Sequence, residues 1–157
     1  SLVGTMALVP QLVDAVDVPV IASGGIGDAR GVAAALVLGA SGAMLGTAFL
    51  ATRESAIAPA YRTMLHSERA RHTELTRAMS GRLARGIPNR AFAQIAGPAP
   101  FPVQNWLTGR FRALASERDD PELLSLWAGQ AAGLARDRGA SELMGELVDG
   151  VAALLGR

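Results

Sequence analysis

Val18-Pro19-Val20-Ile21-Ala22-Ser23-Gly24-Gly25-Ile26 is the stretch on which the fold turns. Residues 18–22 are short, β-branched and unbroken by polar side chains, so they read as a parallel strand buried on both faces. Ser23-Gly24-Gly25-Ile26-Gly27 then forms a tight turn. Asp28 supplies an N-cap for a helix through Val32, Ala35, Leu36 and Leu38, which Gly39 stops. Upstream, Leu8, Leu12, Val13 and Val16 are spaced as one helix face that ends near Asp17, with Pro10 tolerable in a first turn. Downstream, Ser41 to Leu45 reads as a second short strand, closed by Gly46-Thr47 where another helical stretch begins. Helix, strand, helix, strand with short connections is the signature of a parallel α/β architecture.

The two glycine turns share a chemical property. A phosphate needs several donors converging at about 3 Å, and exposed amides at the start of a helix supply both donors and a favourable dipole. Glycine lets the anion approach. Ser23-Gly24-Gly25 and Gly46-Thr47 each follow a strand and precede a helix, an arrangement that (β/α) barrels use to hold phosphate after their last two strands. The same glycines could instead serve only to turn the chain.

Beyond residue 52 the pattern changes. Ile57, Tyr61, Met64 and Leu65 lie on one helical face, and Thr73 to Met79 reads as a short strand or an irregular arm. Pro88, Pro98, Pro100 and Pro102 exclude a long regular element from residues 86–102, which read as a loop or lid. Asp120-Pro121-Glu122 has the features of a helix start, continued by Leu123, Trp127, Ala131 and Leu134. Gly139 ends that helix and Ser141 opens a last one, with Leu143, Leu147, Val151 and Leu154 in a column. The expectation is two parts: residues 1–52 as barrel-like α/β, and 53–157 as a mostly helical extension.

Composition narrows the function. Acidic and basic residues nearly balance at a net charge of +1 and are interspersed, leaving no basic face for nucleic acid and no polybasic membrane anchor. All the basic residues are Arg, and Cys is absent, which excludes disulfides, thiolate metal sites and a cysteine nucleophile. No apolar run reaches the roughly 20 residues of a membrane span, and the N-terminus lacks signal-peptide regions. A cytoplasmic location fits. Starting at Ser1 rather than Met, the chain is not expected to begin at a native start.

At these same residues the sequence resembles the nitronate monooxygenase family, formerly called 2-nitropropane dioxygenases. The resemblance rests on Leu8-Val9-Pro10-Gln11, residues 18–26, the run Gly39-Ala40-Ser41-Gly42-Ala43-Met44-Leu45-Gly46-Thr47-Ala48-Phe49-Leu50, Ser80-Gly81-Arg82, and Leu126-Trp127-Ala128-Gly129-Gln130. It implies the C-terminal portion of a (β/α)8 TIM barrel, helix 6 to strand 8, followed by the helical extension. It also implies FMN as cofactor, its phosphate held by Ser23, Gly24, Gly25, Gly46 and Thr47, with Met44 and Leu45 lining the approach. The partners implied are a small-molecule nitronate and O2. The family's catalytic histidine would fall before Ser1, so no catalytic residue is expected here and this piece alone is expected to be inactive. A flavin-dependent enoyl-acyl-carrier-protein reductase resembles the same turns and differs in nicotinamide dependence. A third reading is a non-catalytic phosphate- or flavin-binding fragment. A lone parallel pair exposes edges and helix faces, so on its own the chain is expected to form a homo-oligomer or to be poorly stable.

Other candidates read as structural. His66 and His72 sit in a polar, Arg-rich stretch and are expected at the surface, with no metal role. Asp14, Asp17 and Asp28 each stand at a helix end. Arg82, Arg85, Asn89 and Arg90 are expected to anchor the proline-rich segment. Trp127 and Gln130 are either a core tryptophan with a surface glutamine or contacts to the flavin pocket.

Overall fold

The computed structural model describes residues 3–156; Ser1, Leu2 and Arg157 lie outside the described residues. In chain order the elements are α1 (Thr5–Ala15), β1 (Ile21–Ser23), α2 (Ala29–Val37), β2 (Gly42–Met44), α3 (Thr47–Leu50), α4 (Pro59–Leu65), β3 (Glu74–Thr76), β4 (Ala84–Gly86), α5 (Arg90–Gln94), α6 (Val103–Glu117) and α7 (Ala140–Leu155). Single 3-10 turns cover Glu68–Arg71 and Ala132–Leu134. They group into two compact units, one of Ser1–Ser55 with Leu134–Arg157, the other of Ala56–Gly133.

In the first unit β1 and β2 pair in parallel, with Ile21 opposite Gly42 and Ser23 opposite Met44. Helices cover one face only. Ala22 is buried among Val9, Ala35 and Ala40, with Val13, Ile26, Leu38 and Ala43 packed around them. On the other face Ile21 and Met44 are exposed, and so is Val18 before the strand. The expectation of a strand buried on both sides is thus corrected, since among the described residues this sheet has two strands and one helical layer.

Two further corrections concern α1. Pro10 lies in its second turn rather than its first, where it forgoes one backbone hydrogen bond. Val9 and Val13 make the packed stripe, while Leu12 and Val16 are exposed. The helix faces the core about a third of a turn away from the face that Leu8, Leu12 and Val16 define.

Helix α2 begins as expected. Asp28 accepts hydrogen bonds from the Arg30 and Gly31 amides, and Gly39, with φ +93°, closes the far end. There the Gly39 and Ala40 amides donate to the Leu36 and Ala35 carbonyls, a paired C-terminal cap. Helix α7 packs on α2 so closely that a methyl at Gly150 would meet the Ala29 Cβ at 2.6 Å. Leu143 and Leu147 are buried against Ala48, with Val32, Leu45 and Phe49 around them. Leu154, at the end of the expected column, is exposed. This packing puts the last helix in one unit with residues 3–55, so the chain does not divide simply at Thr52.

In the second unit β3 and β4 are antiparallel, Glu74 opposite Gly86. Residues 124–128 run beside β4: the Ile87 amide donates to the Leu126 carbonyl, and the Ala128 amide to the Arg85 carbonyl. The helix expected from Asp120 to Leu134 therefore does not form. Burial there alternates, with Leu124, Leu126 and Ala128 inside, a period of two that overrode the apparent helical spacing. Asn89 reinforces the extended course by donating to the Pro121 and Leu124 carbonyls, both at 2.8 Å. It also caps α5 through the Phe92 amide, so residues 86–102 include a short helix as well as irregular chain.

Helix α6 was not legible in the sequence because its buried face is partly polar. Gln104 and Thr108 are buried and bond the Ala78 and Met79 carbonyls, while Trp106 is 70% exposed. Tyr61 is largely buried and donates to the Trp127 carbonyl; burial pushes its phenol pKa up.

Candidate functional site

Because β1 and β2 are parallel and in register, both chains leave the sheet at the same end. Ser23 is paired with Met44, so Gly25 and Gly46 each stand two residues beyond a paired position. Adjacent strands run about 4.8 Å apart, which brings the two turns together at one edge. Gly24, Gly25 and Gly46 are exposed. Gly24 and Gly25 have φ of +108° and +72°, a left-handed course that side-chain-bearing residues seldom adopt. An added Cβ at Gly25 or Gly46 would meet nothing within 4 Å, and among the described residues none accepts a hydrogen bond from either amide. The result is an open face with two unengaged backbone donors.

Strand alternation sorts the remaining predicted residues. Ser23 and Met44, directly opposite each other, share the exposed face with Ile21. Thr47 is the first residue of α3, immediately after Gly46. Leu45 points the other way, into the apolar cluster around Leu143 and Leu147, so only its backbone belongs to the turn.

Sequence reasoning missed Thr5. Its hydroxyl donates to the Gly24 carbonyl at 2.7 Å, tying the start of α1 to the glycine turn. Only its position just before the apolar stripe of α1 hinted at a cap-like role. Behind this turn, Thr5, Met6, Val9, Gly24, Gly25 and Ile26 border an apolar depression of about 200 Å3. A larger groove of about 590 Å3 runs along β2 between α2 and α7, bordered by Val32, Leu36, Leu45, Phe49, Leu147 and Val151. Both are lined mainly by apolar side chains.

Asp28 anchors the loop that carries Gly24 and Gly25. Its carboxylate takes both Arg30 guanidinium bonds, at 2.6 and 2.9 Å, besides the two amides of the cap. The Arg30 side chain, foremost, and those amides hold the carboxyl below the usual carboxylate range, against some desolvation. A depressed folded-state pKa means that the contribution is complete above the unfolded value of about 3.9 and fades as pH falls through the folded value. Asp28→Ala is expected to lower stability by about 1 kcal/mol at pH 7. Urea titrations of the two proteins should converge as the pH drops below about 3.9; an equal gap at pH 3 and pH 7 would contradict this account.

The remaining candidates stand apart from these turns in the sequence and have local roles. His66 and His72 are exposed. Asp14 lies in the last turn of α1 and Asp17 beyond it, while Asp28 alone of the three caps a helix. Arg82 stacks over Phe101 at 3.9 Å, Arg85 donates to the Thr73 carbonyl, and the Arg90 amide donates to Glu122. The Trp127 ring lies 6.0 Å from that of Phe92, and Gln130 is exposed. No helix among the described residues is long and apolar enough to cross a membrane.

Known proteins resemble this chain in sequence and fold. The profile of the nitronate monooxygenase family matches residues 1–150. A probable nitronate monooxygenase of Staphylococcus aureus (strain Newman) is 43% identical, the match covering 94% of this chain and 43% of that protein. The crystal structure of nitroalkane oxidase from Streptomyces ansochromogenes superposes with a TM-score of 0.94 at 38% identity, over 98% of this chain and 45% of the other. FabK from Thermotoga maritima gives 0.80 at 30% identity, over 99% and 51%. Fold and site together define a parallel α/β protein that ends adjacent strands in exposed glycine turns. The chain belongs to the nitronate monooxygenase family, and it spans less than half the length of the curated relatives it matches.

Proposed function

We propose that the protein containing this chain is an FMN-dependent nitronate monooxygenase, oxidising alkyl nitronates with O2, and that residues 1–157 supply its phosphate grip. The observation that carries the reading is the pairing of two exposed glycine turns at one end of a parallel strand pair, in a chain of this family. In this reading β1 and β2 are the seventh and eighth strands of a (β/α)8 barrel. The exposed Ile21 and Met44 then face its interior, and the groove beside β2 receives the neighbouring strand and its side chains.

The residues present suit the group. A phosphate would take the Gly25 and Gly46 amides without meeting a side chain, with the Ser23 and Thr47 hydroxyls as further donors. Ser23, Gly24, Gly25, Gly46 and Thr47 therefore form the proposed cofactor site, and Met44 offers apolar contact on the same face. FMN supplies the electron acceptance from the nitronate and the subsequent reaction with O2. This chain's part is to fix the cofactor's phosphate end. The catalytic histidine, by the family resemblance, lies outside residues 1–157. A cytoplasmic location goes with this reading.

The weaker likeness to FabK supports a second reading, a flavin-dependent enoyl-acyl-carrier-protein reductase, and one assay separates the two. Oxygen uptake by the full-length protein should rise on adding an alkyl nitronate without nicotinamide, and visible absorption should show bound flavin. Turnover of an enoyl thioester with NADH, and none with a nitronate, would overturn the proposal. A protein that binds flavin but turns over neither substrate would favour the non-catalytic reading.

A further inference from the structure

Helix α3 has four residues, far short of the roughly 12 that an isolated helix needs to persist, so its direction is set by what holds it. Two attachments are visible. On its apolar side Ala48 is buried against Leu143 and Leu147 of α7. At its exit the chain is stitched to the first turn of the same helix and to the residues just before it. The Arg53 amide donates to the Arg138 carbonyl at 3.1 Å, and the Arg53 guanidinium reaches Glu142 at 3.3 Å and Asp137 at 3.6 Å. The Glu54 carboxylate accepts the Ala140 amide at 2.9 Å.

Glu54 thereby does the work of a missing cap. Gly139, at the N-cap of α7, has no side chain to offer, and Glu142, besides its pairing with Arg53, accepts the Gly139 amide rather than that of Ala140. A carboxylate is favoured at a helix start by the unsatisfied amides and the dipole, and here it comes from 86 positions earlier in the chain. There is little room for an alternative: a Cβ at Gly139 would sit 3.1 Å from Glu54 Oε1 and 3.5 Å from Arg53 Nη2. Few residues separate this contact from Gly46 and Thr47.

We propose that Glu54 is a positioning residue for cofactor binding: by clasping the exit of α3 to the start of α7 it holds the Gly46-Thr47 turn in its phosphate-ready orientation. The inference rests on the assignment of that turn to the FMN phosphate. It makes the last helix, some ninety residues downstream, part of the grip.

Comparison of FMN with riboflavin, which lacks the phosphate, tests this in the full-length protein. Glu54→Ala is expected to weaken FMN about tenfold, the loss of roughly one charge-assisted hydrogen bond, while riboflavin affinity stays within about twofold. Glu54→Gln, which keeps an acceptor for the Ala140 amide, should recover most of the FMN preference. A variant that merely loosens the fold would weaken both flavins together. An unchanged preference for FMN over riboflavin in Glu54→Ala, or in Gly139→Ala should Glu54→Ala not fold, overturns the positioning role. A wild-type protein with no preference between the flavins instead removes the phosphate assignment beneath it.

Discussion

Gly46→Asp is expected to reduce FMN affinity of the full-length protein at least about a hundredfold, equivalent to ~2.8 kcal/mol, while its melting temperature holds or rises slightly. The two effects part because Gly46 is not strained. Its φ of −91° and ψ of −69° lie in the right-handed region, where an aspartate fits without strain, and its added Cβ meets no atom within 4 Å. The position also stands at the start of α3, where a negative side chain is favoured by the exposed amides and the helix dipole. A phosphate dianion drawn to the same amides would meet a like charge at close range, and an effective dielectric of about 20 makes that repulsion worth several kcal/mol. Riboflavin affinity should change little. FMN titration by fluorescence quenching, paired with thermal melts, reads both; unimpaired FMN binding in a folded Gly46→Asp protein would place the phosphate elsewhere. Gly46→Ala, carrying no charge, should fall between the two.

Much of the first unit could be read from residues alone because each local signal agreed with its neighbours. Asp28 and Gly39 bracket α2, and the glycine turns follow strands whose pairing puts them at one end. What escaped reading depended on contacts remote in sequence. Glu54 caps α7, and Asp119 accepts the Ala60 amide at the start of α4 at 2.6 Å, yet neither acid lies beside the helix it serves. The face of a short strand was likewise misjudged: unbroken apolar character suggested two buried sides where helices cover one. In the second unit periodicity itself misled. Leu123, Trp127 and Ala131 imitate a helix while Leu124, Leu126 and Ala128 do the packing, and α6 hides a polar buried face behind an exposed Trp106. The family resemblance implies Leu45 on the approach to the cofactor, whereas strand alternation turns its side chain toward α7.

The second large effect lies in that second unit, where Gly81→Ala is expected to destabilise the fold by about 4 kcal/mol or more. Gly81 has φ +83°, a conformation in which alanine is strained by roughly 1 kcal/mol. Its surroundings are worse. A methyl there would lie 2.5 Å from both the Ala99 carbonyl oxygen and the Phe101 amide nitrogen, and 2.8 Å from the Pro100 carbonyl carbon. These are backbone atoms and cannot rotate aside. Residues 98–101 are held in place by Gln104, whose side-chain oxygen accepts the Ala99 amide at 3.0 Å while its amide donates to the Ala78 carbonyl. Thr108 donates to the Met79 carbonyl from the next turn of α6. Pushing the two segments apart would strand these buried groups, at about 1–3 kcal/mol for each one left unsatisfied. Gly109→Ala is the matched control: this glycine lies inside α6, a Cβ would meet nothing within 4 Å, and the change should stabilise by about 0.5–1 kcal/mol. Urea unfolding should therefore move the two variants in opposite directions, with hydrogen exchange in Gly81→Ala rising first across residues 77–108. If both variants stay within about 0.5 kcal/mol of the parent, the close packing of the Ser80-Gly81-Arg82 turn against the proline-rich segment is not what holds this unit together.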